Sequence, residues 1–170
     1  MTEIKGSDPE IAEYLNALSS IDHAAVQAAR RALVAMGTRA IEPLWKARAQ
    51  ADDLLRWEIT RTLVEIQDPR VTDRLVQILI DDPDSGIRWL AAEGLIRLGE
   101  ASLGPLLEAL VHHSDSAWLR QGAHHVLKAL ATGPREPVLR PVLQALESLE
   151  PILQASIAAQ RALADLGLIR

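Results

Sequence analysis

Three arginines recur at a fixed spacing and could bind an anion. Arg56, Arg88 and Arg120 are each 32 residues apart. Guanidinium groups bind carboxylates and phosphates through paired hydrogen bonds. In a second interpretation, each arginine lies one turn inside a helix, near the acidic residue that begins it, and joins neighbouring units. Repeated positions serve stacking in repeat proteins, so we predict that this arginine column is structural.

Two pairs of adjacent histidines raise the question of a metal site. They are His112 with His113 and His124 with His125. Adjacent residues of a helix point about 100° apart, whereas two zinc ligands on one helix are three or four residues apart. The chain contains no cysteine. We therefore predict no metal, no cofactor and no catalytic residue, and we interpret the serines as helix caps.

The arginine column is part of an internal repeat of helices. Leu63, Leu95 and Leu127 keep the step of 32, and a step of 30 leads back to Leu33. The apolar positions around each leucine follow one helical face. Four positions before each arginine stands a residue that can accept hydrogen bonds from the first helical turn. With the first hairpin included, this predicted cap column is Asp22, Asp52, Asp84 and Ser116.

The composition agrees with repeated helices and excludes several classes of protein. Leu (27) and Ala (26) dominate, whereas aromatic residues make up 3%. Both abundant residues favour helices. The net charge of -5 argues against a nucleic-acid partner, because phosphate binding needs a basic face. No apolar run is long enough to cross a membrane, so we expect a cytoplasmic protein without a membrane partner.

The period divides the chain into helical hairpins that stack in a single domain. The first helix carries the arginine in all hairpins but the first. In three hairpins the second helix has a proline near its start, Pro43, Pro105 or Pro141. Four extra residues, within Thr132–Pro137, separate the two helices of the fourth hairpin. The predicted domain covers residues 1–170, with a leading helix at 9–18, hairpins near 22–50, 52–80, 84–112 and 116–149, and a final helix at 151–166.

Residues 84–99, which read DSGIRWLAAEGLIRLG, resemble the HEAT-like repeat of phycobilisome lyases. The shared pattern is an Asp cap, an aliphatic residue before Arg, an Ala pair, a Leu and a closing Gly. Val26 and Ser156 stand where the family has the arginine. The resemblance implies an all-α fold, a right-handed α-α superhelix (solenoid) of about four to five HEAT-like hairpins with about ten helices. It also implies that the second helices line the concave side.

We predict that the chain is a non-catalytic scaffold or adaptor that binds another protein or peptide, or forms a homodimer. One candidate surface is an apolar strip in the middle hairpins, on the side of the helices opposite the core. In a second interpretation, its rings lie flat over neighbouring aliphatic side chains or under the N-terminal segment. The strip comprises Trp57, Val64, Trp89 and Ile96.

The second candidate surface is the outward face of the second helices. Small residues there would leave a shallow groove for a partner helix or an extended peptide. The same face could equally be ordinary solvent-facing surface. Its polar positions are Lys46, Gln77, Glu108 and His112.

The resemblance leaves two other functions open. An accessory subunit of a bilin lyase would hold a tetrapyrrole or similar ligand through cationic and histidine groups. DNA binding, the third candidate, would require several Lys or Arg with stacking aromatic rings. The one neighbourhood suited to a tetrapyrrole comprises Arg120, His124, His125 and Lys128.

Overall fold

A computed structural model describes residues 9–169, which form ten α-helices, three short 3₁₀ segments and no strand. The predicted all-α class is therefore confirmed. None of these helices is long and apolar enough to cross a membrane. The α-helices are α1 (Pro9–Ala17), α2 (His23–Met36), α3 (Thr38–Arg48), α4 (Asp53–Ile66), α5 (Thr72–Asp81), α6 (Ser85–Leu98), α7 (Leu103–His113), α8 (Ala117–Leu130), α9 (Glu136–Leu146) and α10 (Pro151–Asp165).

The helices belong to two compact units. Unit one ends at Val71, and unit two begins at Thr72. In unit one, α2, α3 and α4 contact one another, and α1 contacts α2 and α3. In unit two, α5 contacts α6, α7 and α8, α6 lies beside α8, and α10 contacts α7 and α9. The organisation of residues 1–170 as one domain stays a prediction.

Side-chain caps explain where the first helix of each hairpin begins. The residue before each of α2, α4, α6 and α8 accepts a hydrogen bond from a first-turn amide. Asp84 accepts two, from the amides of Gly86 (2.7 Å) and Ile87 (3.0 Å). A carboxylate also suits the positive end of the helix dipole. The four caps are Asp22, Asp52, Asp84 and Ser116.

Two glycines end first helices through a backbone conformation that other residues rarely adopt. Gly37 and Gly99 have φ angles of 58° and 61°. Because α3 begins directly after Gly37, Pro43 lies six residues into the helix and not near its start. Pro141 is likewise the sixth residue of α9, which follows a 3₁₀ segment without a break. The proline positions therefore predict these two helix starts too late.

Leucine, together with alanine, isoleucine and valine, forms the core of both units. Leu63, Leu95 and Leu127, the predicted leucine column, are completely buried. Burial of a leucine side chain contributes about 2 kcal/mol to folding. Trp45 stands at the repeat position of Leu75 and Leu107, and this periodicity predicts a core residue. It is half-buried instead, and the guanidinium of Arg48 lies 5.3 Å from the centre of its ring. The core is therefore aliphatic.

Candidate functional site

The arginine column contacts backbone and carboxylate oxygens in its own unit. Nη1 of Arg88 donates to the carbonyl oxygens of Asp82 (2.7 Å) and Pro83 (3.0 Å), which lie in the linker before α6. Arg120 donates in the same way to the carbonyls six and five positions before it. Arg56 pairs through Nη2 with a carboxylate three residues earlier in α4 (2.9 Å). Arg88 and Arg120 therefore stabilise the linkers that precede their helices.

The predicted apolar strip is not a continuous exposed surface. Val64 is 3% exposed, Trp57 and Ile96 are half-buried, and Trp89 is 59% exposed. The outward orientation predicted for Val64 is wrong because α4 contacts both α2 and α3, which cover more than one of its faces. Trp57 and Trp89 also belong to different compact units.

The polar residues predicted on the second helices are all at the surface. Val76 and Ala109, two further positions that the repeat places on this outward face, are buried. These two positions contribute to the core instead of a groove, because each side chain is covered by the neighbouring helices. The exposed residues are Lys46, Gln77, Glu108 and His112.

Unit two carries a groove of about 510 Å³ formed by α5, α6 and α8. Two tryptophans line it, Trp89 (59% exposed) and Trp118 (42% exposed). Ligand sites in proteins commonly have volumes of about 300–1,000 Å³. The groove therefore has the size and the exposed apolar surface of a binding site. Its lining residues are Leu79, Ser85, Gly86, Arg88, Trp89, Ala92, Trp118, Gln121, Gly122 and His125.

Arg88 and Trp118 form a stacked pair in the wall of this groove. The guanidinium carbon of Arg88 lies 4.4 Å from the centre of the Trp118 ring. A cation over a tryptophan face is attracted by about 0.5–1 kcal/mol at an exposed site. Nη1 of Arg88 also donates to the linker carbonyls. The guanidinium is therefore held by hydrogen bonds at one edge and by the Trp118 ring on one face.

Small residues let the helices approach beneath the tryptophans. A Cβ atom placed on Gly122 of α8 would lie 2.9 Å from Cδ2 and 3.0 Å from Cδ1 of Leu79, which is completely buried. Real side-chain carbons do not approach so closely without a shift of the neighbour. Gly122 therefore permits close packing of α8 on α5, and together with Ala92 it removes side-chain volume from the groove.

The equivalent positions in unit one are filled by an ion pair. The repeat aligns Ala92 with Arg30 and Gly122 with Glu58. Nη1 of Arg30 and Oε2 of Glu58 lie 2.8 Å apart between α2 and α4, and both side chains are largely buried. The sequence thus indicates the groove by two small residues, Ala92 and Gly122, at positions where unit one has large charged residues. Trp118, which follows Arg88 by 30 positions, is the second indication.

The adjacent histidines of α8 contact different helices. Nε2 of His124 lies 2.7 Å from Oε1 of Glu147, after the end of α9, and Nε2 of His125 lies 2.8 Å from Oε1 of Glu93 on α6. Three of the four residues of the predicted tetrapyrrole neighbourhood, Arg120, His124 and His125, therefore make separate contacts. Between residues 9 and 169, no group of three or more His, Cys, Asp or Glu residues is arranged to hold a metal ion.

Repeated helical hairpins with this cap, arginine and glycine pattern define a class of stacked-repeat proteins. A family model for HEAT repeats matches residues 41–128, and the chain belongs to this family. HEAT repeats generally mediate protein–protein interaction. The match includes every residue that lines the groove. No curated protein matches the chain.

Proposed function

We propose that the chain is a non-catalytic protein-binding module whose partner binds in the groove of unit two. The observation that carries the proposal is the pair of exposed tryptophans, Trp89 and Trp118, on one groove. Tryptophan is enriched among the residues that contribute most to the affinity of protein interfaces. Two such rings beside one another form an apolar surface that a partner side chain would remove from water.

The rigidity of the groove supports the same function. The stacking on Arg88 and its bonds to the linker hold Trp118 in one orientation before any partner arrives. Ordering a side chain on binding costs about 0.5–1.5 kcal/mol. A ring that is already ordered avoids part of that cost, so a modest apolar contact gives useful affinity.

Affinity purification from the native host tests the proposal when wild type is compared with Trp89→Ala/Trp118→Ala. We expect the double variant to reduce recovery of a directly binding partner by about tenfold or more, the effect of losing hot-spot residues. Leu54→Ala is the matched control, because Leu54 is 62% exposed but belongs to unit one. Circular dichroism should show unchanged helicity in both variants.

Three outcomes of this comparison have distinct meanings. A second copy of the chain as the partner would appear in light scattering as a concentration-dependent dimer that the double variant loses, and this would support the proposal. Equal recovery by wild type and the double variant would contradict it. Loss of the partner in the Leu54→Ala control as well would also contradict a site at the groove.

A further inference from the structure

We propose that the groove selects a partner segment in which a carboxylate stands beside a large apolar side chain. This inference rests on the proposed function and adds the chemistry of the partner. Two of the ten lining residues are ionisable, Arg88 and His125, and none is an acid. The whole chain has a net charge of -5, whereas the residues that line the groove include the Arg88 guanidinium and no carboxylate. Complementary charge favours encounter with an acidic partner.

Arg88 is the residue that would bind the carboxylate. Both of its hydrogen bonds to the linker use Nη1, and Trp118 covers one face of the guanidinium. Within residues 9–169, the Nε–Nη2 edge has no protein partner. Two parallel N–H groups on such an edge match the two oxygens of a carboxylate. The fixed side chain loses little freedom when it binds.

The neighbouring acid does not neutralise this arginine. Oε1 of Glu93 lies 2.8 Å from Nε2 of His125, across from α6 to α8. Glu93 is therefore engaged by the histidine and lies outside the groove lining. Within the groove lining, Arg88 carries the formal positive charge, and Gln121 and Ser85 are neutral polar neighbours. The carboxylate of Asp84 lies beside the lining and accepts hydrogen bonds from the amides of Gly86 and Ile87.

The apolar part of the partner follows from the other lining residues. The rings of Trp89 and Trp118 offer flat apolar faces. Next to them Leu79 and Ala92 are buried and Gly122 is half-buried, so the two rings carry most of the apolar surface that a partner would contact. A groove of about 510 Å³ accommodates a few side chains and not a folded domain. The occupant is therefore a short segment that places Leu, Ile or an aromatic residue next to Asp or Glu.

Selection of a random peptide library displayed on phage, with the full chain as bait, tests this preference. We expect the enriched peptides to carry Asp or Glu next to a large apolar residue more often than the unselected library does. A synthetic copy of the strongest binder serves as the probe for titration followed by tryptophan fluorescence. Replacement of its acid by the amide should weaken the dissociation constant about tenfold, as expected for loss of a charged paired hydrogen bond.

Variants of the protein locate the charge that the peptide recognises. Arg88→Gln should weaken the same peptide about tenfold. Arg120→Gln is the matched control, because Arg120 makes equivalent linker bonds but does not line the groove. If Arg88→Gln fails to fold, Arg88→Lys replaces it, since lysine keeps the charge but not the paired donors, and an intermediate affinity is expected.

The outcomes separate this inference from the proposed function. Peptides without acidic enrichment that lose affinity in Trp89→Ala/Trp118→Ala would overturn the carboxylate preference and leave the groove as the binding site. Peptides insensitive to both tryptophans would overturn both proposals. Equal affinity for the acid and amide peptides, equal effects of Arg88→Gln and Arg120→Gln, or no enriched peptide would each overturn the carboxylate preference.

Discussion

The helix pairs α2/α4 and α6/α8 are built on the same repeat but fill the space between their helices differently. In unit one, Arg30 on α2 bonds to Glu58 (2.8 Å) and Glu65 (3.2 Å) on α4, forming an ion cluster. In unit two, Ala92 and Gly122 occupy the positions of Arg30 and Glu58, and the groove lies there. Side-chain volume at two repeat positions thus decides whether neighbouring helices enclose charge or leave a groove.

The ion cluster and the groove contribute to different properties of the protein. The ion cluster contributes to folding, because a buried charge without its partner is costly. The groove contributes apolar surface and one fixed cation that remain accessible to a partner. Substitutions at the ion cluster, at the stacked pair and at Gly122 should therefore affect stability to different extents.

The largest effect is expected from Arg30→Ala. The substitution leaves the largely buried carboxylate of Glu58 without its cation, and it should lower the free energy of unfolding by about 3 kcal/mol. Urea denaturation followed by circular dichroism measures this loss. Arg61→Ala is the control, because Arg61 also binds Glu65 (3.0 Å) but its side chain is 45% exposed. Its loss should be about 0.5 kcal/mol.

Equal losses in the two variants would show that burial of the ion cluster does not determine its contribution. The double variant Arg30→Met/Glu58→Leu provides a second comparison. Because apolar replacement of a buried ion pair removes two desolvation costs, it should lie within about 1 kcal/mol of wild type. A loss as large as that of Arg30→Ala would contradict this account of the cluster.

Trp118→Ala should have the second largest effect. It removes the stacking on Arg88 together with a ring that is more than half covered, and we expect a loss of about 1.5 kcal/mol. Thermal unfolding provides the measurement. Trp89→Ala is the matched comparison, and the more exposed ring should contribute about 0.5 kcal/mol. A larger loss for Trp89→Ala would mean that the stacked pair does not stabilise the groove.

Gly122→Ala should have the smallest effect, because two terms oppose each other. Alanine favours the helix by about 1 kcal/mol, whereas crowding of the buried Leu79 side chain costs about 1–3 kcal/mol. We expect a net loss of about 1 kcal/mol in urea denaturation. In a Leu79→Ala background the same substitution should become stabilising, and a double-mutant cycle measures this change of sign. An unchanged sign would contradict close packing at Gly122.

The fold could be predicted from sequence because its determinants are local. The cap residues and the closing glycines each act within one helix, and the step of 32 is the length of one hairpin. Together they predicted the all-α class and about ten helices. The position of Val64 could not be read from one helical wheel, because α4 is covered by two neighbours. The packing of a helix against its neighbours depends on residues that lie about one repeat away in the sequence.

The candidate site was less predictable for two physical reasons. A groove arises where side-chain atoms are missing, and Ala92 and Gly122 look like ordinary helix residues until they are aligned with Arg30 and Glu58. The sequence predicted a surface through Trp89 but paired it with Trp57 in the other unit. The partners of Arg88 and Arg120 could not be predicted either, because every residue has a backbone carbonyl and the sequence does not distinguish one from another.

The hydrogen bonds from Arg88 to the carbonyls of Asp82 and Pro83 close within seven consecutive residues, and Arg120 repeats this arrangement. Each turn and the arginine that stabilises it therefore lie in one short stretch of the sequence. A duplicated stretch of gene would carry its own turn geometry and would need no matching substitution in the adjacent hairpin. Arrays of this kind can lengthen or shorten by whole hairpins while the existing turns stay intact.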